Sequence, residues 1–93
     1  MPKYFDFKVA GYNLYFTSHC IVEAIHTHAS DDKLTESGSA KIWIHSDGNC
    51  TVQKKGKVSD TDINKIIKFI HKNYKSMYES WIKGGGKPEF KEK

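Results

Sequence analysis

Residues 59–83 place an apolar side chain every three or four positions, and no other stretch constrains the fold as tightly. Ile63, Ile66, Ile67, Ile70, Tyr74, Met77, Tyr78 and Trp81 form one continuous stripe, the spacing of an amphipathic helix. Lys65, Lys68, Lys72 and Lys75 run along its polar side. Ser59, with Asp62 three residues on, predicts the N-terminal cap, and Asp60 and Asp62 suit the positive end of the helix dipole. Gly84, Gly85 and Gly86 end it. Such a stripe needs a second layer to cover it.

That layer is expected from the residues before the helix. Residues 4–9 are aromatic-rich and roughly alternating, so they predict a strand, followed by a turn at Gly11 and a returning strand at residues 13–16. Residues 21–28 suit either a strand or an extended loop, and residues 29–39 are polar enough to predict an exposed loop. Residues 40–45 are the clearest strand: Ile42 and Ile44 fall on one face, and Lys41, Trp43 and His45 on the other. Asp47-Gly48 predicts a hairpin turn into residues 50–53. About four short strands before one long C-terminal helix predict an α+β domain, an antiparallel sheet packed on the helix. A chain of 93 residues supports a single core. The domain is expected over residues 1–83, with a flexible charged tail at 84–93.

The formal charge of +4 is unevenly spread. Residues 1–48 carry 4 Lys against 6 Asp and Glu, a net of −2, and residues 49–93 carry 11 Lys against 5, a net of +6. All the basic side chains are lysines. A basic half suggests a polyanion, and Lys54, Lys55, Lys57, Lys65, Lys68, Lys72 and Lys75 are the residues that would track an RNA or DNA backbone. Without arginine there is no planar fork for bidentate readout of bases. A solvated helix face accounts for the same lysines. Cys20 and Cys50 lack C-x-x-C spacing, the N-terminus lacks the apolar run of a secretory leader, and no stretch is long enough to span a bilayer. The expectation is therefore a cytoplasmic protein with reduced thiols and no membrane partner; a Cys20–Cys50 disulfide would require the strands that hold them to adjoin.

Histidines supply the candidate chemistry. His26 and His28 share a face if their segment is extended. Two imidazoles on one face can begin a divalent metal site such as zinc, with His45 as a third ligand and an acidic residue of the 29–39 loop as a fourth. One of the three could instead act as general acid or base on a phosphodiester. Against both stands the plain reading of polar side chains on a sheet, with no cofactor. Glu23 is close enough in sequence to orient an imidazole. Trp43, beside Lys41, is a residue for contact with a partner or for stacking. Trp81 and Tyr74 belong to the helix stripe. No phosphate loop or nucleophile motif is present.

Residues 11–18 (GYNLYFTS), the H-x-H of His26 and His28, the strand Ala40-Lys41-Ile42-Trp43-Ile44, and Glu79-Ser80-Trp81 near the helix end occur in one order. Together they resemble the bacterial domain-of-unknown-function family 4160 over roughly residues 8–83. The chain departs from that pattern in having Ala24 where a proline is common, a longer acidic 29–39 loop, and lysines in the strand-to-helix link. The resemblance implies an α+β fold, a bacterial cytoplasmic origin and no set activity. It also implies a gene that often neighbours another small domain, in the manner of toxin–antitoxin pairs. The first expectation for function is thus a non-enzymatic interaction module that meets a protein or RNA partner through Glu23, Lys41, Trp43 and the H-x-H face. The alternatives are a histidine-dependent ribonuclease or metal-binding protein using His26, His28 and His45, and non-specific nucleic-acid binding through the helix lysines.

Overall fold

The helix begins where its cap residue predicts. Ser59 is extended, and its hydroxyl accepts a hydrogen bond from the Asp62 backbone N–H; the helix, α1, then runs Asp60–Lys83. Gly84 closes it, its N–H donating to the Ser80 carbonyl at 3.0 Å. The structure is a computed structural model, and it describes residues 3–17, 20–31 and 38–90. Four strands precede the helix: β1 Asn13–Tyr15, β2 His26–Ser30, β3 Ala40–Ile44 and β4 Cys50–Lys54, with a short 3-10 turn at Cys20–Val22. They form one antiparallel sheet in the order β1-β2-β3-β4. The α+β architecture expected from the sequence is therefore present.

The pleat of β3 divides the sheet. Ala40, Ile42 and Ile44 are buried, while Lys41 and Trp43, on the other side, are half-buried. The buried set joins Ile63, Ile66, Ile70, Met77 and Trp81 of α1 in one core with Leu14, Phe16 and Ile25. The helix stripe and the alternation of β3 are two halves of the same burial event, which is the main source of stability in a domain of this size.

The structure corrects two expectations about strands. Residues 4–9 are not a strand; they make only isolated bridges, Lys3 to Tyr15 and Val9 to Tyr12. Phe5 and Phe7 stack on each other at 5.2 Å and both meet Phe69 of α1 edge-on, so same-side aromatic packing takes the place of a ladder. The turn at Ala10-Gly11 is present, with positive φ at both residues and Val9 and Tyr12 exchanging backbone hydrogen bonds, the two-residue hairpin geometry. The fourth strand is instead β2, and it extends through Ala29 and Ser30, two residues of the expected 29–39 loop. Residues 32–37 of that loop lie outside the described residues, as does His19.

Residues 84–90 are not a free tail. The Gly86 N–H donates to the Trp81 carbonyl, the Lys87 N–H to Ile21, and the Ile25 N–H to Glu89. The Trp81 indole N–H donates to the Lys87 carbonyl at 2.8 Å, and Phe90 stacks on Tyr78 at 4.6 Å. These backbone bonds, the indole bond and the ring contacts of Phe90 with Tyr78 and Tyr74 outweigh the charge of the segment. Trp81 is fully buried beneath this segment. Trp81→Ala should therefore cost about 3–5 kcal/mol, read as a fall in the urea midpoint at constant slope. Val22→Ala, at a position 75% exposed, should change stability by less than about 0.5 kcal/mol.

Candidate functional site

Register brings the sequence-predicted residues of the sheet together. Antiparallel pairing sets His26 opposite Trp43 and His28 opposite Lys41, so all four lie on the face away from Ile42 and Ile44. The His26 ring lies 4.9 Å from that of Trp43 and 5.3 Å from that of His28. Lys41 Nζ sits 4.6 Å above the Trp43 ring, a cation–π contact. The same ammonium pairs with Glu23 Oε2 at 3.0 Å. Glu23, His26, His28, Lys41 and Trp43 are thus one cluster, and its members differ in access: His26 is fully buried, whereas His28, Lys41, Trp43 and Glu23 are part-exposed.

His26 is a neutral group held in place. Its Nδ1 lies 2.9 Å from the Ala24 carbonyl; a carbonyl only accepts, so Nδ1 carries the proton. Among the described residues the buried Nε2 has no hydrogen-bond partner, and Glu23 Oε2, at 3.6 Å, is beyond hydrogen-bonding distance. Burial pushes the His26 pKa down; the Ala24 bond and Glu23 oppose this, while Lys41 and His28 add to it. For Glu23, burial acts upward, but the hydrogen bond and charge of Lys41, with smaller contributions from His26 and His28, hold the carboxyl below its ordinary value.

His45 does not join the pair. It is buried, and its Nε2 lies 2.6 Å from the Thr51 hydroxyl across the hairpin. Among the described residues, no group of three or more His, Cys, Asp and Glu side chains is placed to hold a metal ion. Of the three acidic residues in the 29–39 loop, Asp32 and Glu36 lie outside the described residues. Cys50 is a free thiol whose pKa is pushed up to about 12, by burial first and then by the Asp47 carboxylate, which leaves it a poor nucleophile.

The basic residues divide into two groups. Lys65, Lys68, Lys72 and Lys75 are all exposed on α1. At the end of β4 and in the turn after it, Lys54, Lys55 and Lys57 are also exposed, but Lys55 is paired with Asp60 at 2.9 Å. Sequence reasoning missed four members of the Trp43 cluster's surroundings. Gln53 accepts the Trp43 indole N–H; a register shift after Lys41 brings it within reach, and nothing in the residue pattern signals that. Tyr15 lies 5.5 Å from His28, a pairing that needed β2 to be recognised as a strand. The Tyr4 hydroxyl donates to the His26 carbonyl at 2.7 Å, and the Trp81 ring lies 5.6 Å from that of His26.

The family model described as a domain of unknown function, DUF4160, matches residues 11–82. The chain belongs to that family. The match runs from the β1 hairpin to the end of α1, so the sheet, the Trp43 cluster and Trp81 are family territory, while the docked segment at residues 84–90 lies outside it. No curated protein and no solved structure matches the chain. Among the described residues, no helix of this DUF4160 domain is long and apolar enough to cross a membrane.

Buried neutral His26 makes stability depend on pH. Unfolding returns the imidazole to its ordinary value of 6.5, so the unfolded chain takes up the proton first. The stability held by the neutral ring is complete above that value and is lost as the pH falls below it. Glu23 adds a further loss only below its ordinary 4.5. Between about pH 7.5 and 5.5 the urea midpoint should fall, because the unfolded chain takes up a proton that the buried His26 ring resists. The drop in the urea midpoint should be smaller in His26→Gln.

Proposed function

We propose that this DUF4160 domain is a protein-interaction module, one component of a two-protein pair of toxin–antitoxin type, and that it meets its partner through Trp43, Lys41 and Glu23. The observation that carries this reading is the state of Trp43: it is part-exposed, yet its ring is held from three sides. Lys41 lies over it, His26 meets it edge-on, and Gln53 accepts its N–H. A large aromatic that is already ordered loses little freedom on binding, which is the profile of an interface anchor. The Glu23–Lys41 pair at its side offers both signs of charge for orientation. The role of a second small protein comes from the family resemblance.

His26 supports the patch and does not act as a reagent in this reading, since both its nitrogens are out of reach of solvent. The test is co-purification of the tagged chain with the product of its neighbouring gene, followed by calorimetric titration of the purified pair. Trp43→Ala should weaken binding by about 2 kcal/mol, roughly thirtyfold in Kd. An unchanged Kd would overturn the reading. So would RNA cleavage by the pure chain that disappears in His28→Ala, which would favour the hydrolytic alternative.

A further inference from the structure

The β3–β4 turn and α1 border an open cleft of about 290 Å³, lined by Gly48, Asn49, Ile67, Lys68, His71 and Lys72. Gly48 has a φ of 87°, and a Cβ there would fall 2.7 Å from the Tyr74 ring and 3.2 Å from His71 Nδ1. Only glycine lets the turn lie this close to the helix. Its carbonyl accepts from His71 Nδ1 at 3.2 Å, so that nitrogen carries the proton and Nε2 is left for a ligand. Lys68 and Lys72, one helical turn apart, flank His71, and among the described residues neither forms an ion pair. The carboxylate of the turn is engaged locally: Asp47 Oδ1 accepts from the Asn49 backbone N–H and Oδ2 from its side-chain amide, and among the described residues it forms no ion pair with either lysine. Two like charges at this spacing repel, and a dianion between them would remove that repulsion.

We propose that this cleft binds the phosphate group of a small molecule, held between the Lys68 and Lys72 ammoniums beside the His71 ring. A phosphate monoester, or phosphate itself, is close to a dianion at neutral pH, which matches two lysines. Ile67 is the apolar contact for the rest of an ester. The cleft stands apart from the Trp43 patch, which lies on the other face of the sheet.

The test uses the full chain and three probes followed by NMR: inorganic phosphate, adenosine 5′-monophosphate, and a single-stranded oligonucleotide without a terminal phosphate. The first two should shift the Gly48 and Asn49 amides and the His71 Nε2 signal saturably. Lys68→Ala combined with Lys72→Ala should weaken their binding by about tenfold, the size expected for lost charge-assisted contacts. Lys65→Ala combined with Lys75→Ala should change it by less than about twofold. All four lysines are exposed, so the variants keep the fold. Tighter binding of the mononucleotide would identify an ester as the ligand, and equal binding would identify phosphate itself. The proposal is overturned if no saturable shift appears at Gly48, Asn49 and His71. It is equally overturned if the oligonucleotide binds more tightly than either small probe and depends as much on Lys65 and Lys75.

Discussion

Trp81 is the contact on which the rest of the domain depends. Its ring meets Phe16, just past β1, at 5.0 Å and His26, at the start of β2, at 5.6 Å. Its N–H holds the Lys87 carbonyl. One fully buried side chain therefore fixes where the helix ends against the sheet, where the chain returns after Gly86, and what lies behind the H-x-H pair. The close approach of Gly86 to the Trp81 ring, where a Cβ would collide, explains why the chain can turn back at this point. The stripe from Ile63 to Met77 supplies area; Trp81 supplies position.

Much of the fold is legible in the residue pattern because two of its elements carry clean periods. The spacing of three and four in α1 and the alternation of β3 survive every tertiary detail, and the Ser59 cap is a local hydrogen bond that depends on nothing distant. Residues 4–9 and 26–30 were harder for opposite reasons. In residues 4–9 the alternating aromatics are used to pack on Phe69, so a strand-like pattern serves another purpose. In β2 every position from His26 to Ser30 except His28 is buried, so there is no polar alternation to read. The docking of residues 84–90 rests on backbone groups of Ile21 and Ile25, which leave no trace in composition.

The candidate site shows the same division. That His26 and His28 share a face, and that Trp43 and Lys41 lie beside one another, followed from the period of two. The depth of each residue did not. His26 and His28 are two positions apart, yet one is sealed and the other half-exposed, because Trp81 and Trp43 close over the first, while Tyr15 and His26 flank the second. A motif that reads as two equivalent ligands is, in three dimensions, one buried support and one surface residue. The positive charge of the second half likewise resolves into separate settings: Lys55 is neutralised by Asp60, while Lys68 and Lys72 border a cleft.

The account rests on His26 being a neutral, buried support for Trp43 and not a working imidazole. Long-range ¹H–¹⁵N NMR of the histidine rings tests this most directly. At pH 7 the His26 ring should be neutral with its proton on Nδ1, as the bond to the Ala24 carbonyl requires, and its signals should not move when zinc is added. A His26 ring protonated on Nε2, or one whose nitrogen shifts follow added zinc, would contradict it.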